Sequence, residues 1–300
     1  MKHQPANGLH PRNLHGERYD LTALVGACPA LGPFVHPSPR GESTVDFTDP
    51  RAVRLLNAAL LAFHYRIQGW NIPEGFLCPP VPGRADHLRH LADLLGEGGQ
   101  PPRGSGVRVL DIGTGASAIY PLLNHQIYGW TFVGTETNVA ALACAKAILA
   151  ANPDLKHALA LRLQSDPTRI FQGVVDSGER FDLCLCNPPF HSSARAVRET
   201  AQTKWRKLGR SEEHKRLNFG GIGAELWCPG GELAFVGRII AESAEQPHSC
   251  RSFSSLVSKS EHLPRLQAAL REAKAERVQV LEMRQGQKRS RILAWSYSKG

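Results

Sequence analysis

Two clusters of residue types in this 300-residue sequence could do chemistry together. The first is Asn187-Pro188-Pro189-Phe190, directly after the apolar run FDLCLC. A planar amine or amide nitrogen has a delocalised lone pair, so it attacks an electrophilic carbon only when acceptors hold its hydrogens and orient it. The Asn187 side-chain oxygen and the Pro188 carbonyl supply two acceptors, paired prolines stiffen the loop, and Phe190 gives a flat face for stacking. No base of shifted pKa is needed if the electrophile is a positively charged methyl sulfonium, because that group supplies the driving force.

The second cluster lies in VRVLDIGTGAS (107–117), where an apolar run ends in Asp111 and is followed by Gly113 and Gly115. Glu136 closes the next run, TFVGTE, where a carboxylate can accept hydrogen bonds from two ribose hydroxyls. There is no third glycine of a dinucleotide fingerprint, so a nucleoside cofactor without phosphates fits better than a pyrophosphate. In RLQSDPTRIF (162–171), Gln164, Ser165 or Asp166 could meet the adenine of such a cofactor, with Gln164 the first choice. Each residue also has a plainer reading. Asp111 could be a helix N-terminal carboxylate, Glu136 a solvated strand end, Gln164 part of an ordinary Asp-Pro turn, and Asn187 a turn residue.

These residues need a scaffold that brings strand ends together. From Val107 onward, short apolar runs alternate with helical patterns, as in a doubly wound α/β sheet, which binds ligands beyond the carboxyl ends of its strands. The pattern predicts strands at 107–112, 131–135, 158–163, 181–186 and 232–236, and helices at 118–124, 138–151 and 238–245. A helix over 263–274 and strands over 277–283 and 291–297 complete a seven-stranded, mostly parallel sheet with a late hairpin. Ahead of it, helical spacing marks 50–69 and 84–95, and GEGGQPPRGSG (96–106) reads as a linker. The expected organisation is an N-terminal extension over 1–83 and a Rossmann-like domain over 84–300.

The formal net charge of +9 favours an anionic partner, either a nucleic acid or an acidic membrane surface. Basic residues gather at Lys2, His3, Arg12 and Arg18, along 195–216, and from Arg284 to Lys299. Phosphate contacts are the reading of these stretches, against the plainer one of solvated faces. No run approaches a membrane span and Met1 to Asp20 has no apolar export segment, so a cytoplasmic protein with no membrane partner is expected. The seven cysteines lack CxxC spacing, which predicts free thiols and no metal site; Cys184 and Cys186 read as small core residues of a strand. Trp227 reads as core in preference to a base-stacking platform.

Over almost its full length the sequence resembles the RlmF family of bacterial large-subunit ribosomal RNA adenine-N6 methyltransferases and their eukaryotic RNA N6-methyladenosine relatives. The resemblance rests on GLHPRNLHGERYDL (8–21), VDFTDPRAV (45–53), PEGFLCPPVPGRADHLRHLADLL (73–95), LDIGTGASAIYPLL (110–123), LCNPPFHSSA (185–194), LNFGGIGAELWCPGGE (217–232) and GQKRSRILAW (286–295). It implies a class I methyltransferase fold, an N-terminal RNA-binding module, S-adenosylmethionine as cofactor, and 23S ribosomal RNA or a large-subunit assembly intermediate as partner. It also implies catalytic roles for Asn187, Pro188, Pro189 and Phe190, and cofactor contacts for Arg84, Gly113, Glu136, Asn187 and a residue near Gln164. Two other readings stay open: a methyltransferase acting on a protein amide, and an RNA-binding factor without turnover.

Overall fold

The computed structural model describes residues 8–197, 199, 225–286 and 288–297. The N-terminal part comprises a short helix α1 (Leu21–Ala27), a small hairpin of β1 (Val35–Pro37) and β2 (Ser43–Val45), and helices α2 (Pro50–Tyr65) and α3 (Val81–Leu95). Helix α2 starts on the Asp49 cap and ends where Arg66 turns left-handed at φ 55°, four residues short of the predicted end at Gly69. Helix α3 starts three residues earlier than expected, with Pro82 in its first turn and the Val81 N–H donating to Asn57 Oδ1 at 3.2 Å.

The main sheet has β3 (Arg108–Ile112), β4 (Thr131–Glu136), β5 (Leu159–Leu163), β6 (Phe181–Cys186), β7 (Cys250–Val257), β8 (Arg277–Gln285) and β9 (Lys288–Ser296). Their spatial order is β5-β4-β3-β6-β7-β9-β8, parallel from β5 to β7, with β9 antiparallel to β7 and β8 antiparallel to β9. The chain winds outward from β3 to β5, then returns to lay β6 on the other side of β3. That reversal leaves a crevice beyond the carboxyl ends of β3 and β6, which is where this architecture binds ligands.

Helices α4 (Ile119–Tyr128) and α5 (Val139–Ala150) join α1, α2 and α3 over one face, in a core that includes Leu60, Leu88, Leu91, Leu122 and Ile148. The extension and the sheet therefore share one hydrophobic cluster, and position 83/84 falls inside α3. The other face is covered by α6 (Gly231–Glu245) and α7 (Leu263–Glu272), which bury Val236, Ile239, Ile240 and Leu270 against Phe253 and Trp295.

The predicted strand at 232–236 is corrected: those residues form the first turns of α6. Their short apolar run fits either period, but the buried set Val236, Ile239, Ile240 and Ser243 follows helical spacing. The fifth parallel strand is instead β7, whose sequence CRSFSSLV hides its burial behind serines. Ser254 and Ser255 are fully buried, and the Ser254 hydroxyl donates to the Cys184 carbonyl at 2.9 Å. As expected, Cys184 and Cys186 are core residues of β6.

Candidate functional site

Beyond the ends of β3, β4, β5 and β6 lies a cavity of about 900 Å³, including the open solvent at its mouth. Its walls include Arg84, Gly113, Gly115, Glu136, Gln164, Asn187 and Pro189, so the structure gathers most of the predicted site around one space. Asp111 lies directly behind the wall formed by its neighbours Ile112 and Gly113 and is 1 % exposed. Pro188 is buried and Phe190 half-buried, and neither belongs to the cavity lining.

The turn after β3 needs its glycines. Gly113 and Gly115 have φ of 71° and 67°, in the left-handed region that a side chain strains. A Cβ on Gly115 would stand 3.1 Å from Glu225 Oε1. Gly115→Ala is therefore expected to lower stability by about 1–2 kcal/mol. Urea unfolding reads this directly, and an unchanged midpoint would refute the tight-turn argument.

Three carboxyl groups converge on this turn. Glu136 is buried, its Oε2 accepting the Gly115 N–H at 3.1 Å and its Oε1 the Thr137 and Asn138 N–H groups at 2.8 and 3.0 Å. It is thus no solvated strand end; the Thr137 hydroxyl also donates to Oε1, at 3.3 Å, whereas Oε2 has one donor and keeps a lone pair for a ligand hydroxyl. Glu225 holds the Leu77 N–H at 2.6 Å and the Ala116 N–H at 3.2 Å, and burial followed by the charge of Glu136 pushes its carboxyl above the usual range against those bonds.

Asp111 is the third. Among the described residues neither of its oxygens has a hydrogen-bond partner, and α4 follows Ala118 at its cap position with no side-chain cap, so Asp111 does not cap that helix. Burial pushes its carboxyl up to about 7, and the negative Glu136 adds to the shift. The Thr114 hydroxyl, close but outside hydrogen-bonding geometry, and the Arg84 guanidinium pull the other way. An orphaned buried carboxyl calls for a cation or a donor from a ligand. With Glu136 on the cavity wall and Asp111 directly behind it, the pair of carboxyl groups suits a phosphate-free molecule that carries hydroxyls at one end and an ammonium at the other.

Gln164 lines the cavity, with both amide hydrogens given to its own loop and one lone pair of Oε1 still open. Its Nε2 donates to the Gln172 and Ile170 carbonyls at 2.9 and 3.4 Å, and its Oε1 accepts the Asp166 N–H at 3.0 Å. This side chain shapes the loop after β5. The same loop is gripped by α6, where buried Glu242 accepts the N–H groups of Ile170 and Phe171, each at 2.9 Å, and Arg238 donates to the Pro167 carbonyl at 3.2 Å.

Asn187 directly follows β6, and its Oδ1 accepts from Arg84 Nη1 at 2.9 Å. Arg84 stands at the start of α3, an unfavourable end for a cation, stacks on the Tyr120 ring at 5.5 Å, and donates to the Tyr120 hydroxyl at 3.1 Å. Just beyond the proline pair, the His191 N–H donates to the Leu226 carbonyl and the Cys228 N–H to the His191 carbonyl, each at 3.1 Å. Trp227 is half-buried in that bridge. Gly231, at φ 64°, lets α6 approach closely, since a Cβ there would lie 3.2 Å from the His191 carbonyl carbon.

Tyr120, Glu225 and Glu242 were not singled out from sequence. Tyr120 looks like an ordinary apolar position of a helix, and Glu242 like a surface residue of α6. Glu225 carries a weak signal, an acid directly after the GGIGA run. Of the basic stretches, Arg12 is ion-paired with Asp93, Arg18 with Glu42, and Arg195 with Glu199. Lys2, His3, NFGG (218–221) and nearly all of 198–216 lie outside the described residues. Among those described, no helix is long and apolar enough to cross a membrane, and no group of three His, Cys, Asp or Glu residues could hold a metal ion.

The sequence matches an RNA methyltransferase family over residues 3–299. The chain belongs to that family. It is an RNA methyltransferase, and its nearly complete overlap with curated relatives carries the assignment along the whole chain. It is 51 % identical to ribosomal RNA large subunit methyltransferase F of Ectopseudomonas mendocina (strain ymp), with all of this chain and 92 % of the relative aligned. Identity is 52 % to the protein of the same name from Cronobacter sakazakii (strain ATCC BAA-894), covering 97 % of this chain and 94 % of the other. Its fold matches the hMettl16 catalytic domain bound to the MAT2A 3'UTR hairpin 6 with a TM-score of 0.81, 30 % identity, and coverage of 97 % and 98 %. The N-terminal domain of human METTL16 in complex with SAH matches with a TM-score of 0.75, 29 % identity, and coverage of 97 % and 99 %. The class I methyltransferase layout implied by the sequence resemblance is the observed one.

Proposed function

We propose that this RNA methyltransferase moves the methyl group of S-adenosylmethionine onto the N6 amine of one adenine in 23S ribosomal RNA, presented as free RNA or as a large-subunit assembly intermediate in the cytoplasm. The observation that carries the reading is Asn187, an amide oxygen acceptor at the end of β6 on the same cavity as Glu136 and the Gly113–Gly115 turn. Relatives named for ribosomal RNA methylation support the substrate class, and the SAH-bound neighbour supports the cofactor.

In this reading Glu136 takes the ribose hydroxyls, the Gly113–Gly115 backbone lets the cofactor approach closely, and Arg84 on the wall, with the charge of Asp111 behind it, serves the charged amino-acid end. Gln164 keeps the adenine side of the pocket in shape through its loop. S-adenosylmethionine supplies a methyl group on a sulfonium, which needs no activation beyond orientation. Asn187 Oδ1 and the Pro188 carbonyl hold the hydrogens of the target amine, Pro189 closes the wall and excludes water, and Phe190 covers the base from outside the cavity. Residues 1–83 and the basic β8–β9 hairpin bind the RNA backbone, while 84–300 carry the chemistry.

Purified protein incubated with labelled S-adenosylmethionine and unmodified large-subunit RNA, followed by mass spectrometry of RNase fragments, is expected to yield N6-methyladenosine at a single position. Transfer only to precursor particles would move specificity to the assembled substrate. Transfer to a protein glutamine, with none to RNA, would overturn the reading.

A further inference from the structure

Behind Asn187, Arg84 continues into two polar side chains, Tyr120 and His87, to which the proposed reaction gives no role. Arg84 Nη1 donates to both Asn187 Oδ1 and the Tyr120 hydroxyl, at 2.9 and 3.1 Å. The same hydroxyl stands 2.9 Å from His87 Nδ1. Tyr120 is 4 % exposed and His87 fully buried. Burial holds the His87 imidazole well below its ordinary pKa, so it is neutral and can accept a proton bond. Burial likewise pushes the Tyr120 hydroxyl up to about 12, so it keeps its proton to donate. Arg84 is the donor in both of its bonds, to Asn187 and to Tyr120, and the direction of the Tyr120–His87 bond follows the tautomer of His87.

We propose that Arg84 is a positioning residue acting through Asn187, fixing the amide so that its oxygen meets the target amine, with Tyr120 holding Arg84 in that task. The inference rests on the proposed reaction at an exocyclic amine. The oxygen and nitrogen of an asparagine amide are almost the same size, and packing alone scarcely distinguishes the two orientations. Turned over, the amide would point hydrogens at a nitrogen that itself must donate hydrogens. Arginine is a donor only, so it selects the oxygen; one lone pair goes to Arg84 and the other remains for the amine. The cation also gives this contact the strength of a charge-assisted bond. The Tyr120 ring and hydroxyl supply the stack and the acceptor that keep the guanidinium in place.

An aspartate at 187 presents an oxygen whichever way it faces, and that decides the test. Tyr120→Phe keeps the ring and removes the hydroxyl; it is expected to lower kcat about tenfold, the loss of one hydrogen bond's worth of order. The KM for S-adenosylmethionine and the calorimetric Kd for S-adenosylhomocysteine are expected to stay within about twofold of the parent. In an Asn187→Asp background the same change is expected to alter kcat by less than about twofold, because no amide orientation remains to be set. Equal losses in both backgrounds, or a loss appearing as weaker cofactor binding, would overturn the inference. Arg84→Lys and Arg84→Met test it with Asn187 intact: the ammonium still donates to Oδ1, so lysine is expected to retain at least about tenfold more kcat than methionine. Equal kcat for these two folded variants would likewise overturn it. Failure of the proposed function shows separately, as absence of N6-methyladenosine from the wild-type product, whereas this inference is read on whichever amine the wild type methylates.

Discussion

Asn187→Ala is expected to lower kcat about 10³-fold, with S-adenosylhomocysteine still binding within about threefold of the wild-type affinity. The separation follows from where acceptors stand. The cavity keeps Glu136, Glu225 and the glycine turn without Asn187, and these residues hold one another through the Gly115, Ala116 and Leu77 N–H groups. The target amine has no such reserve. It loses its side-chain acceptor and keeps only the Pro188 carbonyl, too few contacts to turn a delocalised lone pair toward an electrophile. Isothermal titration and single-turnover methylation on the same preparation read the two quantities. Parallel loss of binding and turnover would merge roles that the geometry separates, and would make Asn187 chiefly a wall of the cofactor site.

The ends of β3, β4 and β6 were legible in the sequence because their chemistry is punctuated. Asp111 before a glycine pair, Glu136 at the end of TFVGTE, and Asn187 after FDLCLC each sit where an apolar run stops abruptly. Those stops correspond to observed strand ends, and the strand pairs β3–β4 and β3–β6 bring the three residues to one side of the sheet. The late hairpin was legible for the same reason, since long apolar alternation around GQK permits little else. What failed was the region between 225 and 257. There the decisive features are tertiary. Ser254 and Ser255 look solvent-facing until the Cys184 carbonyl is placed beside one of them, and ELAFV looks like a strand until Ile239 and Ile240 extend its period.

The site shows the same division. A carboxylate, a glycine or a proline pair at a strand end carries its own reason to be noticed. Tyr120 does not, because its value lies in an arginine 36 residues earlier in the chain and a histidine on the same helix as that arginine. Gln164 shows both sides of the division: its place on the cavity follows from the strand end, whereas the bonds its amide makes to the backbone of its own loop carry no sequence signal. Side-chain commitments of this kind are invisible until both partners have coordinates.

Asp111→Asn is expected to stabilise the cofactor-free protein while weakening cofactor binding about tenfold. The sign follows from linkage. The carboxyl titrates near 3.8 when unfolded and at about 7 when buried, so between those values the native state binds more protons than the unfolded chain. The contribution to stability is fully present below about 3.8, declines as pH rises through about 7, and is absent above it. A gap of about three pKa units sets a ceiling near 4 kcal/mol, and relaxation of the site brings the expected cost to the order of 2 kcal/mol. The asparagine variant should therefore unfold roughly 5 °C higher than wild type at pH 8 and close to it at pH 4. A ligand carrying an ammonium reverses the balance, because it favours the ionised carboxyl. Wild-type affinity for S-adenosylhomocysteine should strengthen about tenfold from pH 6 to pH 8 with release of a proton, and the variant should show a flat profile. Thermal melts at both pH values and calorimetry in two buffers of different ionisation heat measure these effects. A variant less stable than wild type at pH 8 would mean that Asp111 is stabilised in the fold by partners its orphaned oxygens do not show. Retained affinity with a sloping profile would place the ammonium elsewhere in the cavity.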